Sequence, residues 1–306
     1  MSNIYDVIII GGGPAGLSAG LYTSRARLKT LLIEKAIVGG QITNSERVEN
    51  YPGFPDGISG FDLGELMRKQ AEGFGLEIKY AEALGLELRR SEKVVKTSDG
   101  DYIGRTVIIA GGSTLQRLGV PGEERLTGRG VSYCATCDGP FFKDKTVAVV
   151  GGGDSAVEEA LLLTRFASHV ILIHRRDQLR ASKILQEKAS ADKKMEFLWD
   201  SVVEDIQGEN GVTTIRVRNV KTGQTTNLEV SAVFIYVGQR PNTDYLTGLV
   251  PLDEKGCIIV NERMETEIKG VFAAGDIRQN SPRQVITAAG DGVTAALSAE
   301  RFLSGQ

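Results

Sequence analysis

Two glycine-rich stretches of the sequence decide its fold. Residues 11–35 read GGGPAGLSAGLYTSRARLKTLLIEK, and residues 151–175 read GGGDSAVEEALLLTRFASHVILIHR. The two stretches align without a gap at an offset of 140 residues (151 − 11), and each follows a short apolar run, DVIII at 6–10 and TVAVV at 146–150. Each continues with a helix-like segment and a second apolar run. The pattern of strand, glycine turn, helix and strand therefore occurs twice in this chain.

The glycines of both stretches have the spacing of a dinucleotide-binding turn. Gly11–Gly16 follows the rule G-x-G-x-x-G, and Gly151–Ala156 follows it with alanine in the third place. The first glycine of the rule forms the turn, the second lets the backbone approach a pyrophosphate, and the third lets helix and strand pack closely. One such match is weak, but two matches between a strand and a helix predict two dinucleotide sites.

The two copies differ at the residue that selects the nucleotide. Glu34 lies 18 residues after the third glycine (34 − 16) and can accept hydrogen bonds from a ribose hydroxyl. The second copy is basic in the same region: His174 at the same offset, then Arg175, Arg176 and Arg180. Because a basic cluster binds a 2′-phosphate that an acid would repel, we expect a free ribose in the first site and NADP(H) in the second.

The remaining runs indicate that one domain is inserted into another. Strands are expected at 106–110, 214–218, 232–237 and 270–276, a turn at 238–241 and a helix at 284–302. Linker-like residues occur near 111–124 and 236–243. We predict an α/β fold with two Rossmann-like dinucleotide-binding domains, each with a parallel sheet and a smaller β-meander. The first domain comprises residues 1–112 and 243–306, and the inserted domain comprises residues 113–242.

Between the two copies lies VSYCATCDGP, residues 131–140, which holds two of the three cysteines. A C-x-x-C pair can be a metal site, a structural disulfide or a redox pair. Zinc prefers four ligands, and Cys257 is distant in sequence, so a metal is not expected. Pro140 limits any helix through the pair, which predicts a short turn. In a reducing compartment, such a pair more often serves redox or metal chemistry than a structural disulfide.

Composition and charge exclude several classes of protein. The chain has 306 residues, a formal net charge of −3 and a pI near 5.7. This balance gives no reason to expect a nucleic acid or an anionic membrane as partner. The N-terminus lacks the basic and apolar regions of a signal peptide, and no apolar run approaches the ~20 residues of a membrane span. We therefore expect a cytoplasmic protein.

These motifs together resemble the bacterial-type, low-molecular-weight thioredoxin reductases, a family of the class II pyridine nucleotide-disulfide oxidoreductases. The resemblance covers nearly the whole chain. It rests on GGGPAG, GGQ at 39–41, ENYPGF at 49–54, CATCDG at 134–139, GGGDSA, HRRDQLR at 174–180, FAAGDI at 272–277 and RQVITAAGDG at 283–292. It implies an FAD domain built from both chain ends with an NADPH domain inserted.

The resemblance also implies which residues contact the cofactors. For FAD they are Gly11, Gly13, Pro14, Ala15, Gly16, Glu34, Lys35, Gly39, Gly40, Gln41, Asn50, Asp276, Arg283, Gln284 and Val285. For NADPH they are Gly151, Gly153, Asp154, Ser155, Ala156, His174, Arg175, Arg176 and Arg180.

The activity that the resemblance implies is NADPH-dependent thioredoxin-disulfide reduction. Electrons would pass from NADPH through FAD to a Cys134–Cys137 disulfide and on to thioredoxin or a thioredoxin-like protein, with Asp138 as the acid. The inserted domain would rotate between half-reactions, and the protein would be a homodimer. The alternatives are a redox sensor without turnover, the flavoprotein of a peroxide-reducing system, a thiol oxidase and a ferredoxin–NADP reductase. The last of these lacks the cysteines.

Overall fold

The structure is a computed structural model, and it describes residues 4–45 and 48–305. The parts of the predicted first domain at 1–3, 46–47 and 306 lie outside the described residues. The strands are β1 (Ile4–Ile10), β2 (Thr30–Glu34), β3 (Glu77–Tyr80), β4 (Ala83–Leu88), β5 (Lys93–Thr97), β6 (Gly100–Ile109), β7 (Ser113–Leu115), β8 (Val131–Ser132), β9 (Thr146–Gly151), β10 (His169–Ile173), β11 (Met195–Leu198), β12 (Ser201–Gln207), β13 (Thr214–Asn219), β14 (Thr225–Glu229), β15 (Ala232–Tyr236), β16 (Gln239–Pro241) and β17 (Val271–Ala273).

The helices range from a single turn to twenty residues. They are α1 (Pro14–Arg25), α2 (Gly60–Gly73), α3 (Glu123–Leu126), α4 (Ala135–Asp138), α5 (Asp154–Leu163), α6 (Lys183–Ala191) and α7 (Val285–Ser304). Short 3-10 helices occupy Gly40–Asn44, Gly139–Phe142, Asp244–Leu246 and Gly275–Ile277. Across the described residues, none of the helices combines the length and apolar character needed to cross a membrane.

The chain divides into two compact units. Residues 1–114 and 240–306 form the first unit, and residues 115–239 form the second. The second unit is therefore an insertion between two segments of the first. Which nucleotide each unit binds is a separate question, and that assignment stays a prediction.

The first unit is built on a seven-stranded sheet with the order β3-β2-β1-β6-β5-β4, and β17 also pairs with β6. The pairs that β1 makes with β2 and β6 are parallel, whereas β4, β5 and β6 pair antiparallel. The meander therefore shares strand β6 with the parallel sheet. Because both faces of a parallel sheet are usually covered by helices, its central strand β1 is apolar from Val7 to Ile10, and Ile8 and Ile9 are completely buried.

Small residues let two helices of this unit lie close together on the sheet. A side-chain carbon added at Gly292 of α7 would lie 2.0 Å from the carbonyl oxygen of Ala15 in α1. Leu17 of α1 and Ala295 of α7 belong to the same buried cluster as Val7 of β1. The glycine turn before α1 is thus held between a buried strand and a second helix.

The second unit repeats this construction around a smaller sheet. Its five parallel strands have the order β11-β10-β9-β15-β8, and a separate antiparallel sheet has the order β12-β13-β14. Strand β9 pairs with β10 over residues 146–150 and with β15 over residues 147–151, and it ends at the second glycine turn. The predicted fold class, two Rossmann-like units each with a parallel sheet and a meander, is confirmed.

The sequence prediction for residues 238–241 is wrong. In place of a turn, Gln239–Pro241 forms strand β16, which pairs with β7 as a two-stranded sheet. The backbone amide of Gln116 also donates to the carbonyl of Gly238, at 2.8 Å. The two chain crossings run side by side, so their backbone groups can pair, and Pro241 is tolerated because it stands at a strand end.

The close packing at Gly292 gives a prediction with a matched control in the same helix. Gly292→Ala should lower the thermal unfolding midpoint by the equivalent of roughly 1–3 kcal/mol, since the new carbon collides with backbone. Gly290→Ala should raise the midpoint slightly, by the equivalent of about 0.5–1 kcal/mol, because alanine favours a helix and no atom of a neighbouring described segment lies within 4 Å of the added carbon. Equal effects of the two substitutions would contradict this packing.

Candidate nucleotide sites and the cysteine pair

The first glycine turn is shaped by contacts that only glycine allows. Gly11 has a φ of +106°, and an added side-chain carbon would lie 2.3 Å from the carbonyl oxygen of Ala110. At Gly16 the same carbon would lie 1.9 Å from the oxygen of Gly11. Helix α1 therefore begins directly against strand β1, as the fingerprint requires. Pro14 and Ala15 open the helix, where the missing amide of a proline costs little.

A second glycine pair packs against this turn. The amide of Gly39 donates to the oxygen of Gly12 at 2.8 Å, and Gly40 has a φ of +66°. A side-chain carbon at Gly40 would lie 2.9 Å from the α-carbon of Gly13. Next in the chain, Gln41 donates from Nε2 to the oxygen of Ser113 at 3.0 Å. The predicted site residues at 39–41 thus lie at the turn.

Glu34 is held in place at the end of β2. Its carboxylate accepts the amides of Gly12 at 2.7 Å and Ala36 at 2.8 Å, one on each oxygen. Each oxygen keeps a lone pair that a ribose hydroxyl could use. The neighbouring Lys35 is exposed and lies 3.7 Å from a carboxylate oxygen of Glu82.

The C-terminal segment of the first unit brings further predicted residues together. Asp276 accepts a hydrogen bond from the hydroxyl of Ser281 at 3.1 Å. Burial raises the pKa of the Asp276 carboxyl, while the Ser281 hydrogen bond and the charge of Arg283 act in the opposite direction. Arg283 is itself exposed and has a φ of +59°.

Asn50 and Gln284, 234 positions apart in sequence, meet at the N-terminus of α7. The amide group of Asn50 donates to Oε1 of Gln284 at 3.0 Å. Gln284 precedes the helix and Val285 is its first residue. The resemblance predicts both residues as site residues. Their contact arises because the C-terminal segment of the chain folds back onto the first unit.

A buried ion pair supports this segment, and the sequence reasoning missed it. Arg278 donates twice to Asp291, at 2.7 and 2.8 Å, and Asp291 also accepts the amide of Gly275 at 3.1 Å. A paired and hydrogen-bonded charge can be buried without a large penalty. The only signal in the sequence is an aspartate among the mostly small and apolar residues at 285–299.

In the second glycine turn, one glycine is tightly surrounded by protein and another has free space beside it. An added carbon at Gly151 would lie 2.5 Å from the oxygen of Tyr236 and 2.6 Å from the side chain of Ala156. At Gly153, which precedes α5, no atom of the described chain lies within 4 Å of such a carbon. A pyrophosphate can therefore approach the backbone at Gly153. Ser155, in the first turn of α5, is exposed.

The basic residues after β10 separate into two kinds. Arg175, Arg176 and Arg180 are exposed, so a phosphate can reach them. His174, by contrast, is 5% exposed. Burial lowers the pKa of its imidazole, and the charges of the arginines lower it further. The three arginines therefore fit a 2′-phosphate more readily than the histidine does.

The cysteine pair lies on a single helical turn. Cys134 and Cys137 form a disulfide with their α-carbons 5.3 Å apart, and Cys134 precedes α4 while Cys137 lies within it. The amide of Cys137 donates to Sγ of Cys134 at 3.2 Å. Cys137 is exposed, whereas Cys134 is half-buried. The short turn confirms the expectation drawn from Pro140.

A tyrosine that the sequence reasoning missed anchors this turn. The buried amide of Ala135 donates to the hydroxyl of Tyr236 at 3.0 Å. Burial raises the pKa of the Tyr236 phenol, and the negative charges of Glu159 and Asp138 raise it further. Asp138, the predicted acid, thus lies near a polar group at the end of β15. In sequence, Tyr236 is only the last residue of an apolar run.

A metal site would need several ligating side chains close together. Within residues 4–45 and 48–305, no group of three or more His, Cys, Asp or Glu side chains could hold a metal ion. Cys257 is buried, and burial raises the pKa of its thiol. The chemical group that stands out in the second unit is therefore the accessible disulfide.

The sequence matches the family described as pyridine nucleotide-disulphide oxidoreductase over residues 5–292. A thioredoxin reductase of Bacillus subtilis is 50% identical over 301 residues, which cover 98% of this chain and 95% of the relative. The chain belongs to the thioredoxin reductase family. The family resemblance inferred from the motifs is thus confirmed.

Solved thioredoxin reductases have the same fold. The structure from Lactococcus lactis, described as the FR conformation, is 46% identical and superposes with a TM-score of 0.97, covering 99% of this chain and 100% of that one. The structure from Streptococcus pyogenes is 48% identical and covers all of both chains, but its TM-score is 0.67. Similar sequence identity thus accompanies two different degrees of overall superposition.

Asp276 gives a prediction that separates folding from cofactor binding in this family member. Because burial makes its pKa higher in the folded protein than in the unfolded chain, the carboxyl opposes folding as the pH rises through that raised value. Asp276→Asn should therefore stabilise the FAD-free protein against urea at pH 7, and this gain should vanish at a pH low enough to protonate the wild-type carboxyl.

The family resemblance implies that Asp276 contacts FAD, and on that expectation the same substitution should weaken FAD binding roughly tenfold, the usual effect of losing a hydrogen bond to a charged group. Fluorescence titration of the FAD-free protein measures this dissociation constant. Asn280→Asp, at an exposed neighbouring position, serves as the control and should change neither quantity much. A loss of stability at pH 7 in Asp276→Asn would contradict the assigned role of burial.

Proposed function

We propose that this protein is an NADPH-dependent thioredoxin-disulfide reductase that uses FAD. The observation that carries the proposal is the accessible Cys134–Cys137 disulfide on a one-turn helix, followed in the same unit by a glycine turn and exposed arginines. Membership of the thioredoxin reductase family supports it. The dinucleotide family to which the chain belongs implies flavin and pyridine nucleotide chemistry.

The assignment of NADPH to the second unit rests on charge. Arg175, Arg176 and Arg180 are exposed, and guanidinium groups bind phosphate through charge-assisted, two-point hydrogen bonds. The open position at Gly153 leaves room for the pyrophosphate. The carboxylate of Asp154 is negatively charged and would repel the pyrophosphate. It instead accepts a hydrogen bond from the backbone amide of Ser182 at 2.6 Å.

The assignment of FAD to the first unit rests on the fit of the residues around the first turn. Gly13 precedes α1 with little protein against it, so a pyrophosphate could lie at the helix N-terminus. Glu34 is oriented by two amides to receive ribose hydroxyls. Asp276 and the Asn50–Gln284 pair add polar groups to the same unit.

FAD, when bound, would accept a hydride from NADPH and pass an electron pair to a disulfide. The chain's own part is to present that disulfide. Reduction breaks the sulfur–sulfur bond of Cys134–Cys137 and gives two thiols, with the uptake of two electrons and two protons. To Asp138, directly after Cys137 in the sequence, we assign the role of holding and transferring a proton at these sulfurs.

The dithiol then exchanges with the substrate disulfide. Cys137 is exposed and Cys134 is half-buried, so we assign the attack on the substrate sulfur to Cys137. The attack forms a mixed disulfide and releases one substrate thiolate, which Asp138 can protonate. Cys134 then attacks Cys137, expels the second substrate thiolate and re-forms the Cys134–Cys137 bond, so that atoms and electrons balance.

This order of attack predicts different behaviour for two single variants. Cys134→Ser should accumulate a mixed disulfide with a thioredoxin whose own resolving cysteine is replaced, because Cys137 remains free to attack. Cys137→Ser should accumulate far less. Mass spectrometry of the non-reduced mixture measures the adduct. Accumulation in Cys137→Ser alone would reverse the assignment of the two sulfurs.

The partner that we propose is thioredoxin or a thioredoxin-like protein. Phe141, four residues after Cys137, is 80% exposed, and an exposed aromatic ring beside a reactive group suits a protein partner better than a small solute. By family likeness we also propose a homodimer in the cytoplasm. The net charge of −3 favours neither nucleic acid nor an anionic membrane as a further partner.

We further propose that the second unit rotates between half-reactions. The NADPH site and the disulfide both belong to that unit, and each must reach one flavin held by the other unit. Only two chain crossings connect the units, which suits a hinge. The spread of TM-scores, 0.97 and 0.67 at similar identity, is what differing domain orientations among relatives would produce.

A cross-link between the units tests the rotation. With the units fixed in one orientation, either the reduction of FAD by NADPH or the reduction of the disulfide should proceed, but thioredoxin turnover should stop. Cleaving the cross-link should restore turnover. Rapid-mixing absorbance measurements follow each half-reaction. Normal turnover in the cross-linked protein would exclude rotation as a required step.

The activity itself is tested with purified protein, NADPH and oxidised thioredoxin. We expect a yellow protein that oxidises NADPH steadily only when thioredoxin is present, and that prefers NADPH to NADH. A colourless protein that takes up no FAD would exclude the flavin assignment. Bound cofactors without turnover would favour the redox sensor, and steady oxygen consumption would favour a thiol oxidase.

A further inference from the structure

The segment that follows β10 is attached to the second glycine turn at several points. The carbonyl of Gly152 accepts the amide of Arg180 at 2.7 Å and that of Ala181 at 3.2 Å. The carboxylate of Asp154 accepts the amide of Ser182 at 2.6 Å. Residues 180–182 therefore hold the turn from one side, and the position of Arg180 depends on the same contacts.

The side chain of His174 also contacts the second glycine turn. A side-chain carbon added at Gly152 would lie 2.3 Å from Cε1 and Nδ1 of His174, so the imidazole lies directly on the backbone of this glycine. The backbone of Gly151 also acts on the ring: it favours the charged imidazole and so partly offsets the lowering of the pKa of His174. At 5% exposure, His174 is covered by protein, whereas the adjacent Arg175 is exposed.

The environment of the ring does not suit a ligand of a phosphate group. Nε2 of His174 is buried, and no atom of the described chain is hydrogen-bonded to it. Burial and the nearby arginines both lower the pKa of the ring, so it is uncharged at neutral pH. A neutral, covered imidazole adds no charge to the surface at which Arg175, Arg176 and Arg180 are exposed.

We propose that His174 is a positioning residue for the pyrophosphate-binding turn Gly151–Gly153 and not a ligand of the NADPH 2′-phosphate. This proposal rests on the proposed use of NADPH at this turn. In the sequence His174 is next to the basic residues, but in the structure its imidazole packs against the backbone of Gly152. The arginines select the 2′-phosphate, and His174 supports the part of the site that every pyridine dinucleotide shares.

The test compares how NADP⁺ and NAD⁺ bind to variants, measured as dissociation constants by calorimetry. His174→Ala should weaken both by a similar factor of roughly ten, because the pyrophosphate is common to both and misplaced binding groups have effects of this size or larger. Arg176→Ala should weaken NADP⁺ by about 10–100-fold, the usual loss for a charged hydrogen bond, and leave NAD⁺ nearly unchanged.

His174→Asn keeps a side-chain donor near Gly151 and should retain most of the affinity for both nucleotides, which guards against a variant that fails to fold. Gly152→Ala should weaken both nucleotides as His174→Ala does, because its added carbon meets the ring. Since removing the ring makes room for that carbon, the double variant should bind no more weakly than His174→Ala alone.

A selective loss of NADP⁺ in His174→Ala, matching Arg176→Ala, would overturn the proposal and make His174 a phosphate ligand. No loss in His174→Ala, or fully additive losses in the double variant, would also overturn it. Failure of the proposed function looks different: the wild-type protein itself would then bind neither nucleotide at this turn.

Discussion

The contact between backbone and backbone at the two glycine turns is the constraint on which the rest of the structure depends. At Gly16 a single added carbon would lie 1.9 Å from a carbonyl oxygen, and at Gly151 it would lie 2.5 Å from one. Each turn therefore brings the N-terminus of a helix directly onto the end of a buried strand. We propose that a pyrophosphate binds at each of these helix N-termini.

The surroundings of the C-x-x-C pair are also determined by the fold of the second unit. The pair belongs to the second unit, and its short helix is tied to strand β15 through the bond between Ala135 and Tyr236. Because Cys137 is exposed, a disulfide held in this way can be reached by a protein partner. With the family membership of the chain, these features support the proposed electron pathway from nucleotide to disulfide.

Much of this arrangement was predictable because it depends on local spacing. The spacing of the glycines predicts each turn. The charge beside each turn is predicted by Glu34 in the first copy and by the arginines at 175–176 in the second. The resemblance placed Asn50 and Gln284 at one site, although only the fold shows that they touch. The family and the fold class were both predicted and are confirmed.

The features that escaped prediction depend on contacts between distant parts of the chain. His174 packs against Gly152, which lies in another segment of the chain. The Arg278–Asp291 pair joins a loop to a helix. Strand β16 exists because the second crossing passes beside the first, which no property of residues 239–241 indicates. Likewise Tyr236 ends an apolar run, and its partner Ala135 lies 101 positions away.

The central claim, that FAD and the Cys134–Cys137 disulfide exchange electrons within one chain, is tested most directly by an anaerobic reductive titration. The oxidised protein should take up four electrons per chain, two for FAD and two for the disulfide. The variant with both cysteines replaced by serine should take up two. Uptake of only two electrons by the unaltered protein would contradict the account.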